Sequence, residues 1–179
     1  LAAMRAPAPI TLRVNTGVQL SREVLGRARQ EEGLEELPGV CGRGTVWRVR
    51  PGAGAGVLAF LEEQQNRGAL ARQELVSMLP PLLLLGSDSE GLEVLDMCAS
   101  PGSKSTQLVN MMGGGAFLAA NEYDRRRIPR LHHRLQKESD SSKCLVTSFD
   151  ARFFPALHDF PRILADVPCS GDGMLRRKP

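Results

Sequence analysis

From residue 92 onward the chain alternates apolar runs of strand length with longer segments of helical composition, and this rhythm narrows the possible folds. "LEVLDM" (92–97) reads as a strand and "SKSTQLVNMM" (103–112) as a helix. "GAFLAANEYD" (115–124) is the next strand and residues 125 to 138 the next helix. "KCLVTSFD" (143–150) and "RILADV" (162–167) complete the series as two further strands. Such repetition predicts an α/β domain with a mostly parallel sheet, right-handed crossovers and a doubly wound plan. Ligands of these folds bind beyond the carboxyl ends of the strands, so the chemistry is expected there.

The first sixty residues are less regular. "ITLRVN" (10–15) alternates like a strand, and "GTVWRVRPG" (44–52) reads as a strand closed by a turn, with "GAGAG" (52–56) as a loop. Between them "SREVLGRARQEEGLEEL" (21–37) has a helical period, with Ser21 as N-cap and breaks at Gly26 and Gly33. These segments describe a small α+β part over 1–60, followed by the larger domain over 61–179. Residues 69–79, "ALARQELVSML", are rich in helix formers, with Leu70, Leu75, Met78 and Leu79 near one face. Pro80 and Pro81 interrupt that helix, and "LLLL" (82–85) continues as a buried segment.

A length of 179 residues is enough for one sizeable core and a small appendage. The net charge of +3 favours no partner class by itself, but the positive residues cluster at Arg125–Arg127, at Arg130, at His132–Arg134 and at Arg176–Lys178. Cys41, Cys98, Cys144 and Cys169 form no CxxC pair and no His/Cys metal spacing, so neither a disulfide scaffold nor a metal site is expected. That usage points to a reducing, intracellular setting. The longest apolar run, Leu79 to Leu85, is too short to cross a bilayer. Both ends read as cut: the chain begins at Leu1 and stops within a basic stretch at Pro179.

The strand ends carry polar residues. Asp96 closes the first strand, Pro101-Gly102 makes a tight turn that lets the backbone approach a ligand, and Ser103 or Ser105 is placed to cap the helix that follows. The glycine spacing fits neither the phosphate loop nor the GxGxxG dinucleotide pattern. The second strand ends in "NEYD", where Glu122, or failing it Asp124, stands at the position that holds ribose hydroxyls in nucleoside-cofactor folds. Asp150 ends the third strand and is placed to accept from an adenine amino group. Together these residues describe an adenosine-bearing methyl donor with an amino-acid tail, lying across the sheet edge. The fourth strand delivers Asp166 and Cys169 to the same edge.

"DMCASPGSKSTQL" (96–108) and "DVPCSGDG" (166–173) resemble the cofactor loop and the Pro-Cys motif of the NOL1/NOP2/Sun family of RNA cytosine-C5 methyltransferases, closest to its NSUN2/Trm4-like tRNA branch. "GALARQELVSMLPPLLL" (68–84) and "RAPAPITLRVN" (5–15) are similar to the family's segments upstream of that loop. The resemblance implies a Rossmann-like class I methyltransferase fold, with its C-terminal portion missing here, and a partial RNA-binding N-terminal domain.

It also implies S-adenosylmethionine as cofactor. Cys98, Ala99, Ser100, Pro101, Gly102, Ser103 and Lys104 would wrap it, Glu122 would hold the ribose and Asp150 would lie near the adenine. Arg127 matches a recurring arginine, and Lys104 would contact Asp166, which borders the cofactor and holds the pyrimidine edge. Glu122 stands where the family usually has aspartate.

In the family a later cysteine, in a Thr-Cys-Ser motif, adds to cytosine C6 so that C5 becomes nucleophilic, and the Pro-Cys cysteine, here Cys169, assists product release. No Thr-Cys-Ser occurs among these residues, so the attacking cysteine is expected beyond residue 179, and these 179 residues alone would bind without turning over. A carboxyl group near N3 would stabilise developing charge, with Lys104 the expected activating cation for a thiol. The target base must leave its stack, and Arg176, Arg177 and Lys178 are the expected RNA contacts.

RNA, tRNA foremost, is thus the expected partner of a monomer, in the nucleus or nucleolus of a eukaryote and otherwise in the cytoplasm. The rivals are an rRNA-directed enzyme and a non-catalytic RNA-binding scaffold on the same fold. A methyltransferase for small molecules or proteins is disfavoured, because oxygen and nitrogen methylation need no thiol adduct.

Overall fold

A computed structural model describes residues 8–19, 21–40, 45–86, 89–155 and 158–170. The chain builds two four-stranded sheets. In the first, β1 (Thr11–Val14), β2 (Leu34–Glu36), β3 (Val46–Val49) and β4 (Leu70–Arg72) pair antiparallel in the order β2-β3-β1-β4. Helices α1 (Ser21–Ala28) and α2 (Ala55–Asn66) cover it. Strand alternation aims Leu12 and Val14 at Val24, Trp47, Phe60 and Leu70, forming a small apolar core. Every residue of β1 is buried, so its other face, Thr11 and Arg13, is turned inward as well.

Three expectations for this half are corrected. The helix beginning at Ser21 stops at Ala28, and residues 34–36 form a strand pairing Leu34 with Val49. The glycine-rich loop ends earlier than expected, with α2 starting at Ala55. The helix read over 69–79 is instead β4, which pairs Leu70 with Val14, then a short 3-10 turn (Val76–Met78). Helix-forming composition yields here to a sheet edge that buries Leu70 and Ala71 completely or nearly so. The first sheet therefore takes in residues well past position 60. Pro80 and Pro81 interrupt nothing: they occupy the first turn of α3 (Leu79–Leu85), where a missing N–H costs no hydrogen bond.

The second sheet is the expected parallel one. β5 (Glu93–Asp96), β6 (Phe117–Asn121), β7 (Cys144–Thr147) and β8 (Arg162–Leu164) run in the order β7-β6-β5-β8, all parallel. The crossovers carry α4 (Ser103–Met111) between β5 and β6 and α5 (Ile128–Glu138) between β6 and β7. Val94, Leu118, Leu108, Leu131, Leu135 and Leu164 form its core. Helices α3, α4 and α5 lie side by side. A doubly wound sheet covers both faces, yet across the row Leu145–Ala119–Leu95–Ile163 the two outer residues are about half exposed.

A buried polar network joins the two sheets. Arg13, only 2% exposed, donates from Nε to Gln73 Oε1 (3.0 Å) and from Nη2 to Thr106 Oγ1 (3.1 Å) on α4. Gln73 Nε2 donates to Gln107 Oε1 at 2.7 Å, and Gln107 Nε2 to the Met78 carbonyl at 2.8 Å. At the other end Asn15 donates to the Gly68 carbonyl (2.7 Å), and Asn110 donates to both Asn15 and the Glu138 carbonyl. Buried hydrogen-bonding groups cost free energy when unpaired, so these bonds fix how the first sheet sits against α4.

Candidate active site

The parallel sheet brings Asp96, Glu122, Asp150 and Asp166 to one edge, each at or just past a strand end. From Asp96 the backbone turns through the loop 97–102 into α4. Ala99 N–H donates to the Asn121 carbonyl (2.8 Å) and Gly102 N–H to the Ala99 carbonyl (2.7 Å). The Ser100–Pro101 peptide is cis. Gly102 has φ +101°, and a Cβ there would come within 3.2 Å of Leu131 Cδ1, so the turn specifically needs glycine.

Gly102 is also the N-cap of α4, with no side-chain cap, which corrects the expectation for Ser103 and Ser105. Both serines are used elsewhere. Ser103 Oγ accepts from Arg134 Nη1 (2.8 Å), and Ser105 Oγ donates to Asp96 Oδ2 (2.7 Å).

Asp96 is 1% exposed, and its Oδ1 has no hydrogen-bond partner among the described residues. Burial raises its pKa to about 6, against the opposing pull of the Ser105 hydroxyl and of a Cys98 N–H that lies outside hydrogen-bonding geometry. Cys98 is held as a thiol: burial raises its pKa first, then the charges of Asp96, Glu122 and Asp166.

Lys104, in the first turn of α4, donates from Nζ to Asp166 Oδ2 at 2.5 Å, the contact the resemblance implies. Lysine 104 is therefore committed to the acid. Cys169 lies exposed three residues beyond Asp166 and is not on the wall of the neighbouring cavity.

Glu122 is almost fully buried. Its Oε1 accepts from Asp124 N–H (2.8 Å), and its Oε2 lies 3.4 Å from Arg127 Nη1. Arg127 also donates from Nη2 to the Ser100 carbonyl (2.7 Å), so one guanidinium ties the second strand end to the loop. Asp124 is engaged twice by Arg126, through Nε and Nη2 at 2.9 Å, leaving Glu122 as the acid facing the loop. Arg152 grips Asp150 in the same way and lowers its pKa to about 2. Asp150 is thus an anion with an outward partner, able to accept from a nucleobase.

Two participants escaped the sequence reading. Asn121 accepts from Thr147 Oγ1 and Phe149 N–H and donates to the Met97 and Phe149 carbonyls, clamping three strand ends together. Arg72, Gln73, Glu74 and Ser77 form one wall of a cavity of about 530 Å³, faced by Asp96, residues 98–101 of the loop, Ser103, Lys104 and Asp166. The signal for that wall lay in "LARQE", an apolar pair running into three polar residues, which a helical reading hides. Glu122 and Asp150, past the adjoining strand ends, and Arg127, at the N-cap of α5, lie off this cavity. Arg176, Arg177 and Lys178 fall outside the described residues. Among those described no cluster of His, Cys, Asp and Glu has metal-binding geometry, and no helix is long and apolar enough to cross a membrane.

The donor set fits S-adenosylmethionine. A nearly buried carboxylate at the second strand end suits a ribose diol, and the unpartnered Asp96 Oδ1 can accept from an ammonium group.

Comparison with known proteins agrees with the fold. The sequence profile of the family described as 16S rRNA methyltransferase RsmB/F matches residues 82–179. A multisite-specific tRNA:(cytosine-C(5))-methyltransferase of Saccharomyces cerevisiae is 40% identical over 135 residues, 66% of this chain and 19% of the yeast protein. A ribosomal RNA small subunit methyltransferase F of Shewanella oneidensis is 33% identical over 186 aligned residues, 99% of this chain and 37% of its own length. A methyltransferase homolog protein from Pyrococcus horikoshii superposes with a TM-score of 0.73 at 25% identity, over 98% of this chain and 55% of the archaeal one.

The chain thus spans well under half the length of these two curated relatives, and they include both tRNA-acting and rRNA-acting proteins, so the narrower tRNA-branch placement does not follow. With its parallel sheet, its loop and its match over 82–179, the chain belongs to the RsmB/F family, within the NOL1/NOP2/RsmB-F group of RNA cytosine-C5 methyltransferases.

Proposed function

We propose that the protein containing this chain transfers a methyl group from S-adenosylmethionine to C5 of cytosine in RNA, with tRNA as the substrate class. One observation carries the reading: the Lys104–Asp166 pair lies on the wall of a cavity bounded by residues 98–101 of the loop. An acid held there by a lysine can accept from the 4-amino group of an inserted cytosine and, once protonated, donate to N3, where negative charge develops on the ring.

The cofactor supplies an electrophilic sulfonium methyl when bound. Glu122 accepts from the ribose hydroxyls, Arg127 keeps Glu122 and the Ser100 carbonyl in register, and Asp150 accepts from the adenine amino group. The thiol that adds to C6 lies beyond residue 179 in this reading, and Cys169 assists release of the methylated base. Identity to a yeast tRNA methyltransferase supports the tRNA assignment. A second reading, small-subunit rRNA, is favoured by the alignment of 99% of this chain with the Shewanella protein.

The test offers the whole protein tritiated-methyl S-adenosylmethionine with unmodified tRNA or small-subunit rRNA, followed by nucleoside analysis. Labelled 5-methylcytidine from tRNA supports the proposal, and label from rRNA alone moves the substrate to the second reading. Absence of 5-methylcytidine from both, with cofactor bound, would sink it.

A further inference from the structure

Among the cations on the cavity wall, one has no assigned task. Lys104 is paired with Asp166, whereas Arg72 makes no ion pair or side-chain hydrogen bond with another described residue. Its position follows from the first sheet. β4 is an edge strand, its Leu70 and Ala71 are buried, and Arg72, opposite Leu12 at the end of the pairing, is left exposed on the cavity wall. Glu74 also lines the wall but is engaged within the protein.

The cavity wall carries both the Asp166 carboxylate, held by Lys104, and this exposed guanidinium. A ligand matching that pair places a neutral hydrogen-bonding edge at Asp166 and an anionic group at Arg72. A nucleotide of RNA does this, with its base inserted and its phosphate outside.

Resting on the RNA-methyltransferase reading above, we infer that Arg72 binds the backbone phosphate of the nucleotide whose base enters the cavity. The first sheet then contributes directly to the substrate site. Guanidinium is suited to this task, since its fork of N–H donors matches phosphate oxygens.

The test compares the whole protein with its Arg72→Gln variant, using fluorescence anisotropy with labelled, unmodified tRNA over a range of salt concentrations. Calorimetry with S-adenosylmethionine runs in parallel. Arg22→Gln, at an exposed position of α1, removes the same charge away from the cavity.

The expected result is roughly tenfold weaker RNA binding for Arg72→Gln at low salt, with the salt slope reduced by about 0.7. Cofactor affinity and the Arg22→Gln variant should match the wild type. An unchanged affinity and slope in Arg72→Gln, while the wild type binds and methylates RNA, overturns the assignment and leaves the enzymatic reading standing. An equal loss in Arg22→Gln overturns it in favour of net charge. Loss of cofactor affinity without loss of RNA affinity reassigns Arg72 to the cofactor carboxylate. A wild type that binds no RNA overturns both readings together.

Discussion

Lys104 and Asp166 stand 62 positions apart in the chain, and their side chains meet at 2.5 Å where β5 and β8 run parallel. Lys104 is 18% exposed and Asp166 54%, so the acid faces outward from a less accessible base. The pair therefore presents a carboxylate to an incoming group while its cation stays behind it.

Asp166→Ala in the whole protein is expected to lower methyl transfer to RNA by at least about 100-fold, the scale of losing a positioned acid or base. Cofactor affinity should stay within a few-fold of the wild type, because the ribose and loop contacts remain. Single-turnover rates and calorimetry measure the two quantities. Equal losses in both would mean that Asp166 serves the cofactor and not the base.

Glu122→Ala removes the buried acid at the second strand end and leaves Arg127 without that partner. Affinity for S-adenosylmethionine is expected to fall about tenfold or more, as for the loss of one or two hydrogen bonds to a charged group. Glu122→Asp should keep most of the affinity, since the carboxylate remains. Titration calorimetry decides, and an alanine variant that binds like wild type removes Glu122 from the ribose site.

Asp96 carries the opposite energetic sign. Its pKa rises from 3.8 to about 6 on folding, so between those values the folded chain holds the proton more tightly than the unfolded one. Stability therefore falls as pH rises through that window, and the cost, about 3 kcal/mol, is complete above it. Without cofactor, Asp96→Asn is expected to be more stable than wild type near neutral pH, and to lose that advantage near pH 4, about where the unfolded acid titrates. Denaturation curves at the two pH values check it. A variant destabilised at neutral pH would show that the ionised acid is held by favourable contacts.

Gly68 tests the seam between the sheets. Its φ is +77°, and an added Cβ would sit 1.9 Å from the Lys137 carbonyl oxygen on α5. Gly68→Ala is expected to cost more than about 2 kcal/mol, combining left-handed strain with a backbone clash. Urea denaturation should show the loss, and a neutral result would mean that α5 and the first sheet slide apart easily.

Cys169→Ala addresses release of the product. With the attacking thiol intact in the whole protein, the variant is expected to accumulate an RNA–protein adduct that survives denaturation. A gel in which no slow species appears, while the wild type turns over, would remove the release role from Cys169.

Much of this site is legible in the sequence because it is local. The loop 97–102 needs glycine at one position for its backbone, and parallel strands must end at one edge, so Glu122, Asp150 and Asp166 converge whatever the details of packing. Which acid serves is not local. Asp124 and Glu122 lie two residues apart and look alike in the chain, and only the reach of Arg126 and Arg127 separates their tasks.

The sequence by itself determined the parallel sheet, its strand ends and the family, since hydrophobic period and short motifs depend on neighbours in the chain. Tertiary structure alone decided that residues 70–72 are a strand. Pairing with Val14, 56 positions earlier in the chain, outweighs helical propensity, because burying Leu70 against the first core is worth more than the few tenths of a kcal/mol that propensity offers. That one exchange turns Arg72 to the cavity and makes the first sheet part of the site.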